Sequence, residues 1–227
     1  MTTVSKKHTH SEYESELLRV RENLLRMAGL VEQMIGDSVK ALLERDDALA
    51  DATIEADHKV NRFEVETDEL CLLILAKRQP MASDLRFITL AMKMVTDLER
   101  IGDLAVNICE RAQALDEMAP ARITSSIPRM TEVAMGMVRD AINAFIEADA
   151  DKAQDVWERD RELDELYHVL IGKMQSRMHE QATSLERGMH VQAVGKFLER
   201  IGDHATNLAE LVVFMVKGKD VRHLGKL

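Results

Sequence analysis

The chain has 227 residues, enough for one large domain or two small ones, and its 46% hydrophobic content is ample for a packed core. Thirty basic against forty acidic residues leave a net charge of −10, which argues against an extended nucleic-acid surface. No apolar run approaches the roughly 18 residues of a membrane span, and the opening Met1 to Ser11 is polar and basic, so neither a span nor a secretory leader is expected.

Ala, Leu, Met, Glu, Lys and Arg dominate and strand formers do not alternate, so the whole chain reads as helix. The first helix is expected at about 11–45 and the second at about 49–78. The second carries Asp57 and Asn61 one turn apart, and Glu64 and Asp68 prolong that stripe. Gln79 to Ser83, with Pro80, reads as a connection. A third helix at about 84–116 carries Glu99, Gly102, Asp103, Asn107 and Glu110. Pro120 and Pro128 bracket the most loop-like stretch, a linker over 117–128. Helices follow at about 129–147, 152–181 and 186–217, the last leading into a basic ending of Lys217, Lys219, Arg222 and Lys226. Cys71 and Cys109 fall inside apolar helical pattern and read as buried, reduced thiols of a cytosolic protein. The fourteen methionines read as core filler, and His8 and His10 as part of a polar terminus.

The chain repeats itself. Leu98-Glu99-Arg100-Ile101-Gly102-Asp103 returns unchanged as Leu198-Glu199-Arg200-Ile201-Gly202-Asp203, and Asn107 and Glu110 return as Asn207 and Glu210. Further upstream Leu42-Leu43-Glu44-Arg45-Asp46 matches Phe145-Ile146-Glu147-Ala148-Asp149 at an offset of 103; Asp57 matches Asp160 and Asn61 matches Asp164. The change from 103 to 100 places a longer connection around Gln79 to Ser83 against a shorter one near Ala182 and Thr183. The expected fold is therefore all-α: two tandem, pseudo-symmetric three-helix bundles, over residues 1–118 and 129–227.

The repeated block is locally unfavourable. Glu99 and Asp103 are like charges four apart, and Gly102 costs about 1 kcal/mol relative to Ala inside a helix. Glu99, Asp103, Asn107 and Glu110 project at about 0°, 40°, 80° and 20°, one narrow face. If helices two and three of each copy are antiparallel neighbours, this face meets Asp57 and Asn61 in the first copy and Asp160 and Asp164 in the second. Such a set of carboxylate and amide oxygens suits hard cations such as Mg²⁺, Ca²⁺ or Mn²⁺, and also iron. No Cys joins either stripe, and His204 points about 100° away from Asp203, so a structural zinc site is not supported. In the second copy the face turns apolar at Tyr167 and Ile171, which leaves Glu64 and Asp68 outside the shared pattern; Gln192 and Lys196 also make it more solvated than its counterpart beside Ile88, Met92 and Val95.

Two other readings compete. The stripes can be ordinary solvated helix faces of an adaptor that binds partner helices without metal. A ferritin-like di-metal enzyme would need histidine three residues after Glu99 and Glu199, where Gly102 and Gly202 stand. No Ser/His/Asp arrangement, Cys/His pair or phosphate-cradling glycine loop is visible either.

Taken together, these residues resemble the PhoU family of the bacterial phosphate-specific transport system. The Glu-Arg-Ile-Gly-Asp blocks with Asn107 and Asn207 look like the family's duplicated Glu/Asp-x-x-x-Asp metal motif. Gln79-Pro80-Met81-Ala82-Ser83-Asp84-Leu85-Arg86 looks like its connection between helices two and three. His10, Tyr13, Glu16 and Leu17 resemble its opening helix, and Val216-Lys217-Gly218-Lys219-Asp220-Val221-Arg222-His223 its ending. The resemblance implies a cytoplasmic, non-enzymatic repressor of the phosphate-starvation response, connecting the phosphate ABC transporter and its ATPase PstB to the sensor histidine kinase PhoR. It further implies a homodimer that meets the membrane only through partners, and metal ions or a multinuclear cluster of iron, manganese, zinc or magnesium. The implied ligands are Asp57, Asn61, Glu99, Asp103 and Asn107 in one bundle and Asp160, Asp164, Glu199, Asp203 and Asn207 in the other. Asn61 opposite Asp164 gives the first set one fewer negative charge, so the two sites are expected to differ.

Overall fold

The computed structural model describes residues 3–118, 126–180 and 185–218, with side chains from Glu12 onward and without that of Glu180. Six helices make up the described chain: α1 (Thr3–Glu44), α2 (Asp47–Arg78), α3 (Ala82–Asp116), α4 (Ser126–Glu147), α5 (Ala150–Glu180) and α6 (Leu185–Lys217). The helical expectation holds for every element. Pro128, expected to close the linker, instead sits in the first turn of α4, where its missing N–H removes no intrahelical bond. The rest of that linker, Ala182 and Thr183, the ending from Lys219 on, and the His8 and His10 side chains lie outside the description.

The two turns that open α2 and α5 are copies. Arg45 and Ala148 both take left-handed backbone, with φ of 58° and 52°, and each is followed by an aspartate that caps the next helix. Asp46 accepts from the Leu49 amide at 2.9 Å; Asp149 accepts from Asp151 and Lys152 at 2.9 and 3.0 Å. Arg45 adds a clasp that Ala148 cannot make: its guanidinium donates to the Met118 carbonyl at 3.0 Å and pairs with Asp116, at the end of α3. On the other side of the bundle, Arg78 closes α2 onto Glu16 of α1 at 2.9 Å, while Tyr13 donates to Asp84 at 2.8 Å.

Helices α1, α3, α6 and α4 pack in a closed ring, each on the next, while α2 packs only on α1 and α3 and α5 only on α4 and α6. The molecule is thus two three-helix bundles, α1–α3 and α4–α6, related by pseudo-symmetry and joined through α3 on α6 and α1 on α4. One continuous buried cluster runs through both, from Leu24, Met34 and Ile74 to Met137, Val194 and Val212. Buried methionines serve as filler within it, and Cys71 and Cys109 are buried free thiols whose pKa burial pushes up to about 12. Arg139 of α4 pairs with Glu32 of α1 at 3.0 Å on the rim between the halves.

Candidate metal centre

The repeated block lies on the sides of α3 and α6 that face the outer helices. Leu98 and Ile101 flank Glu99 and are fully buried, so the Glu99 side chain keeps only 16% of its exposure. Gly102 explains the close approach of α2. A Cβ on Gly102 would lie 3.2 Å from Asp57 Oδ1 and 3.3 Å from Val60 Cγ1, so its absence lets the aspartate sit against the α3 backbone.

In the first bundle the expected donors do come together across α2 and α3. Asn61 donates to Asp57 Oδ2 at 2.8 Å, which leaves Asp57 Oδ1 and Asn61 Oδ1 buried without a hydrogen-bond partner. Glu99 Oε2 is buried and likewise lacks a hydrogen bond; its contact is the Arg100 guanidinium at 3.4 Å. Arg100 also reaches Asp103 at 3.0 Å from the solvent side. Asn107 is half-buried one turn beyond. Desolvation, and then the charge of Asp103, raises the pKa of both Asp57 and Glu99. Glu64 is raised by desolvation, then by Asp68, and further by Asp103; it accepts from Thr96 at 3.4 Å. Glu64 therefore belongs to the first cluster, although the sequence pattern left it out because its counterpart is not acidic. Its place on the Asp57 stripe was the available signal.

The second bundle is arranged differently. Asp160 and Asp164 are half-buried on α5. Glu199, 15% exposed, holds the Lys196 ammonium at 2.5 Å, and Lys196 also lies over the Tyr167 ring, 5.6 Å from its centroid. Asp203 is raised first by desolvation, then by Glu199, with Asp164 adding to the repulsion. Asn207 turns out of the set: it is exposed and donates to Asp97 of α3 at 3.3 Å. His204 meets the same Asp97 oxygen at 2.8 Å, as its angle away from the stripe required. These contacts border a cleft of about 690 Å³ between the bundles, lined among others by Asp68, Lys93, Thr96 and Asn207. At Gly202 the close neighbour is Leu163, so the glycine there admits an apolar side chain instead of a carboxylate.

Among the described residues, no three His, Cys, Asp or Glu side chains stand close enough to hold one ion as placed. The donor chemistry of the first bundle nevertheless fits a hard cation. It has buried oxygens without hydrogen bonds on Asp57, Asn61 and Glu99, and carboxyl groups whose pKa is raised by desolvation and then by their neighbours' charge.

The PhoU domain matches this chain twice, over residues 24–112 and 127–212. The chain belongs to the PhoU family. It is 43% identical over 219 residues, 96% of its length and 86% of the relative's, to the phosphate-specific transport system accessory protein PhoU homologue of Pseudomonas putida. To the Escherichia coli accessory protein PhoU it is 34% identical, covering 96% of this chain and 91% of that one. The crystal structure of PhoU from Pseudomonas aeruginosa superposes with a TM-score of 0.87 at 40% identity, over 91% of this chain and all of that one. That of the phosphate transport system regulatory protein PhoU from Streptococcus pneumoniae gives 0.85 at 28% identity, over 92% and 99%. The all-helical, two-bundle fold expected from the repeat is the fold observed, and it is the fold of these PhoU structures.

Proposed function

We propose that this PhoU-family protein is a cytoplasmic, non-enzymatic repressor of the phosphate-starvation response that carries metal on its carboxylate stripes. In this reading it works as a homodimer. It transmits the state of the phosphate ABC transporter, through the ATPase PstB, to the sensor histidine kinase PhoR. The relatives' names as transport accessory and regulatory proteins support the regulatory part. No described helix is long and apolar enough to cross a membrane, in keeping with membrane contact through partners.

The observation that carries the metal part is the set of buried oxygens without hydrogen bonds on Asp57, Asn61 and Glu99. These residues, with Asp103 and Asn107, would hold an ion of iron, manganese, zinc or magnesium; Asp160, Asp164, Glu199 and Asp203 would form the second donor set, which Asn207 joins only by leaving Asp97. Bound metal would supply positive charge between α2 and α3 and offset the repulsion among the crowded carboxylates.

Deleting the gene tests the regulatory reading. Phosphate-starvation genes should switch on in phosphate-replete cells, and unchanged expression and phosphate uptake would contradict it. A metal-free adaptor is the second reading, favoured by the Arg100 bridge between Glu99 and Asp103. Elemental analysis of protein purified without chelators separates the two.

A further inference from the structure

The repeat makes the two halves directly comparable around the carboxylates, and they differ where it matters. Lys196, one turn before Glu199, corresponds to Thr96 before Glu99. Tyr167 on α5 corresponds to Glu64 on α2. In the first bundle, Thr96 donates to Glu64, and Glu64 repels Glu99 and Asp103. In the second, the Lys196 ammonium sits 2.5 Å from Glu199 Oε2 and packs over the Tyr167 ring. Arg100 also bridges the first stripe from the solvent side, 3.4 Å from Glu99 Oε2 and 3.0 Å from Asp103, a longer contact on the glutamate than that of Lys196 on Glu199.

We propose that Lys196 is a built-in counter-cation that closes the second carboxylate stripe to metal, so that the protein loads its divalent cation in the first bundle alone. The proposal rests on the metal reading above. Two substitutions act together. The exchange of threonine for lysine places a tethered positive charge on the glutamate that a metal would need. The exchange of glutamate for tyrosine removes a carboxylate and supplies a ring face that holds the ammonium there. A divalent ion entering the second stripe must displace the Lys196 ammonium from Glu199 Oε2 at 2.5 Å, whereas on Glu99 Oε2 it meets only the longer Arg100 contact of 3.4 Å, beside the buried oxygens of Asp57 and Asn61 that lack a hydrogen bond. Charge count alone does not rank the sites, because Glu64 against Tyr167 offsets Asn61 against Asp164 and leaves four carboxylates in each. The lysine sets the order.

The test is equilibrium dialysis of the full chain against Mn²⁺ followed by metal analysis, on six proteins. Wild-type protein should bind Mn²⁺, Asp103→Asn should lose it, and Asp203→Asn should keep it. Lys196→Thr, which copies the first bundle, should raise bound Mn²⁺ to roughly twice the wild-type amount. Lys196→Arg, which keeps the charge, should leave it unchanged. Thr96→Lys, at an exposed position, should close the first stripe and abolish binding. If Asp103→Asn and Asp203→Asn each remove about half of the wild-type Mn²⁺ and Lys196→Thr adds none, the proposal is overturned while the metal reading stands. If none of the six proteins binds Mn²⁺, the metal reading falls and takes the proposal with it.

Discussion

Asp57 and Glu99 each hold a carboxylate oxygen against the core without a hydrogen bond, and that has a measurable consequence for pH. Their pKa values, with those of Glu64 and Asp68, stand above the ordinary carboxylate range, chiefly through desolvation. The folded chain then binds protons more tightly than the unfolded chain. Stability falls as pH rises from the ordinary values through the raised folded ones. Metal-free protein should therefore melt at a higher temperature near pH 5 than near pH 7. Asp57→Asn should raise the melting temperature at pH 7 and shrink that difference, and a pH response identical to wild type would contradict it. Glu16 works in the opposite sense. Arg78 holds its carboxyl below the ordinary value, so the stabilisation is present above that value and is lost as pH falls further, through the lowered folded one. Glu16→Gln should cost stability at neutral pH and remove that part of the acid-side loss. The two repeated glycines separate in the same way. A Cβ at Gly202 would run into Leu163, which is 1% exposed, so Gly202→Ala should destabilise by about 1–3 kcal/mol through overpacking. Gly102→Ala meets Asp57 and Val60 at ordinary to tight distance and should cost less; urea denaturation of the two variants gives the order.

At the scale of elements, the helices were legible because the composition favours helix everywhere and the punctuation is sparse. The start of α4 was not, because proline marks a loop and a first helical turn equally well, and only packing decides between them. The stripes were legible as angles on single helices. Their pairing followed from expecting antiparallel neighbours. What single-helix geometry could not give is the set of contacts made across helices: Glu64 joining the first cluster, Lys196 seated on Glu199, and Asn207 turned to Asp97. The copied turns provide an independent check on how the repeat has diverged. Both Arg45 and Ala148 are left-handed, but only Arg45 has a clasp to offset the cost. Ala148→Gly should stabilise by roughly 1 kcal/mol by relieving the backbone. Arg45→Gly should destabilise, since it removes bonds to the end of α3; chemical denaturation in which both variants shift in the same direction would contradict this account of the turns.

For the whole molecule, the ring of α1, α3, α6 and α4 makes the two bundles share one core. The repeat in sequence therefore does not imply two independent folding units. Heating should give a single cooperative transition by calorimetry, and two resolved transitions would show that the halves unfold separately. The outer helices α2 and α5 carry the second row of candidate donors while α3 and α6 carry the repeated block, so a cation between α2 and α3 would tie an outer helix to the ring. That places the central claim, a cation site made by Asp57, Asn61, Glu99 and Asp103, on a measurement of stability as well as composition. The most direct test is the melting temperature of chelator-treated full chain with and without Mn²⁺, for wild type and for Asp103→Asn. A ligand that binds only the folded state raises stability in proportion to the logarithm of its concentration over its dissociation constant. Wild type should shift upward with Mn²⁺ and Asp103→Asn should not. Identical melting of the two proteins with and without the ion would contradict the claim and make the stripes ordinary surface.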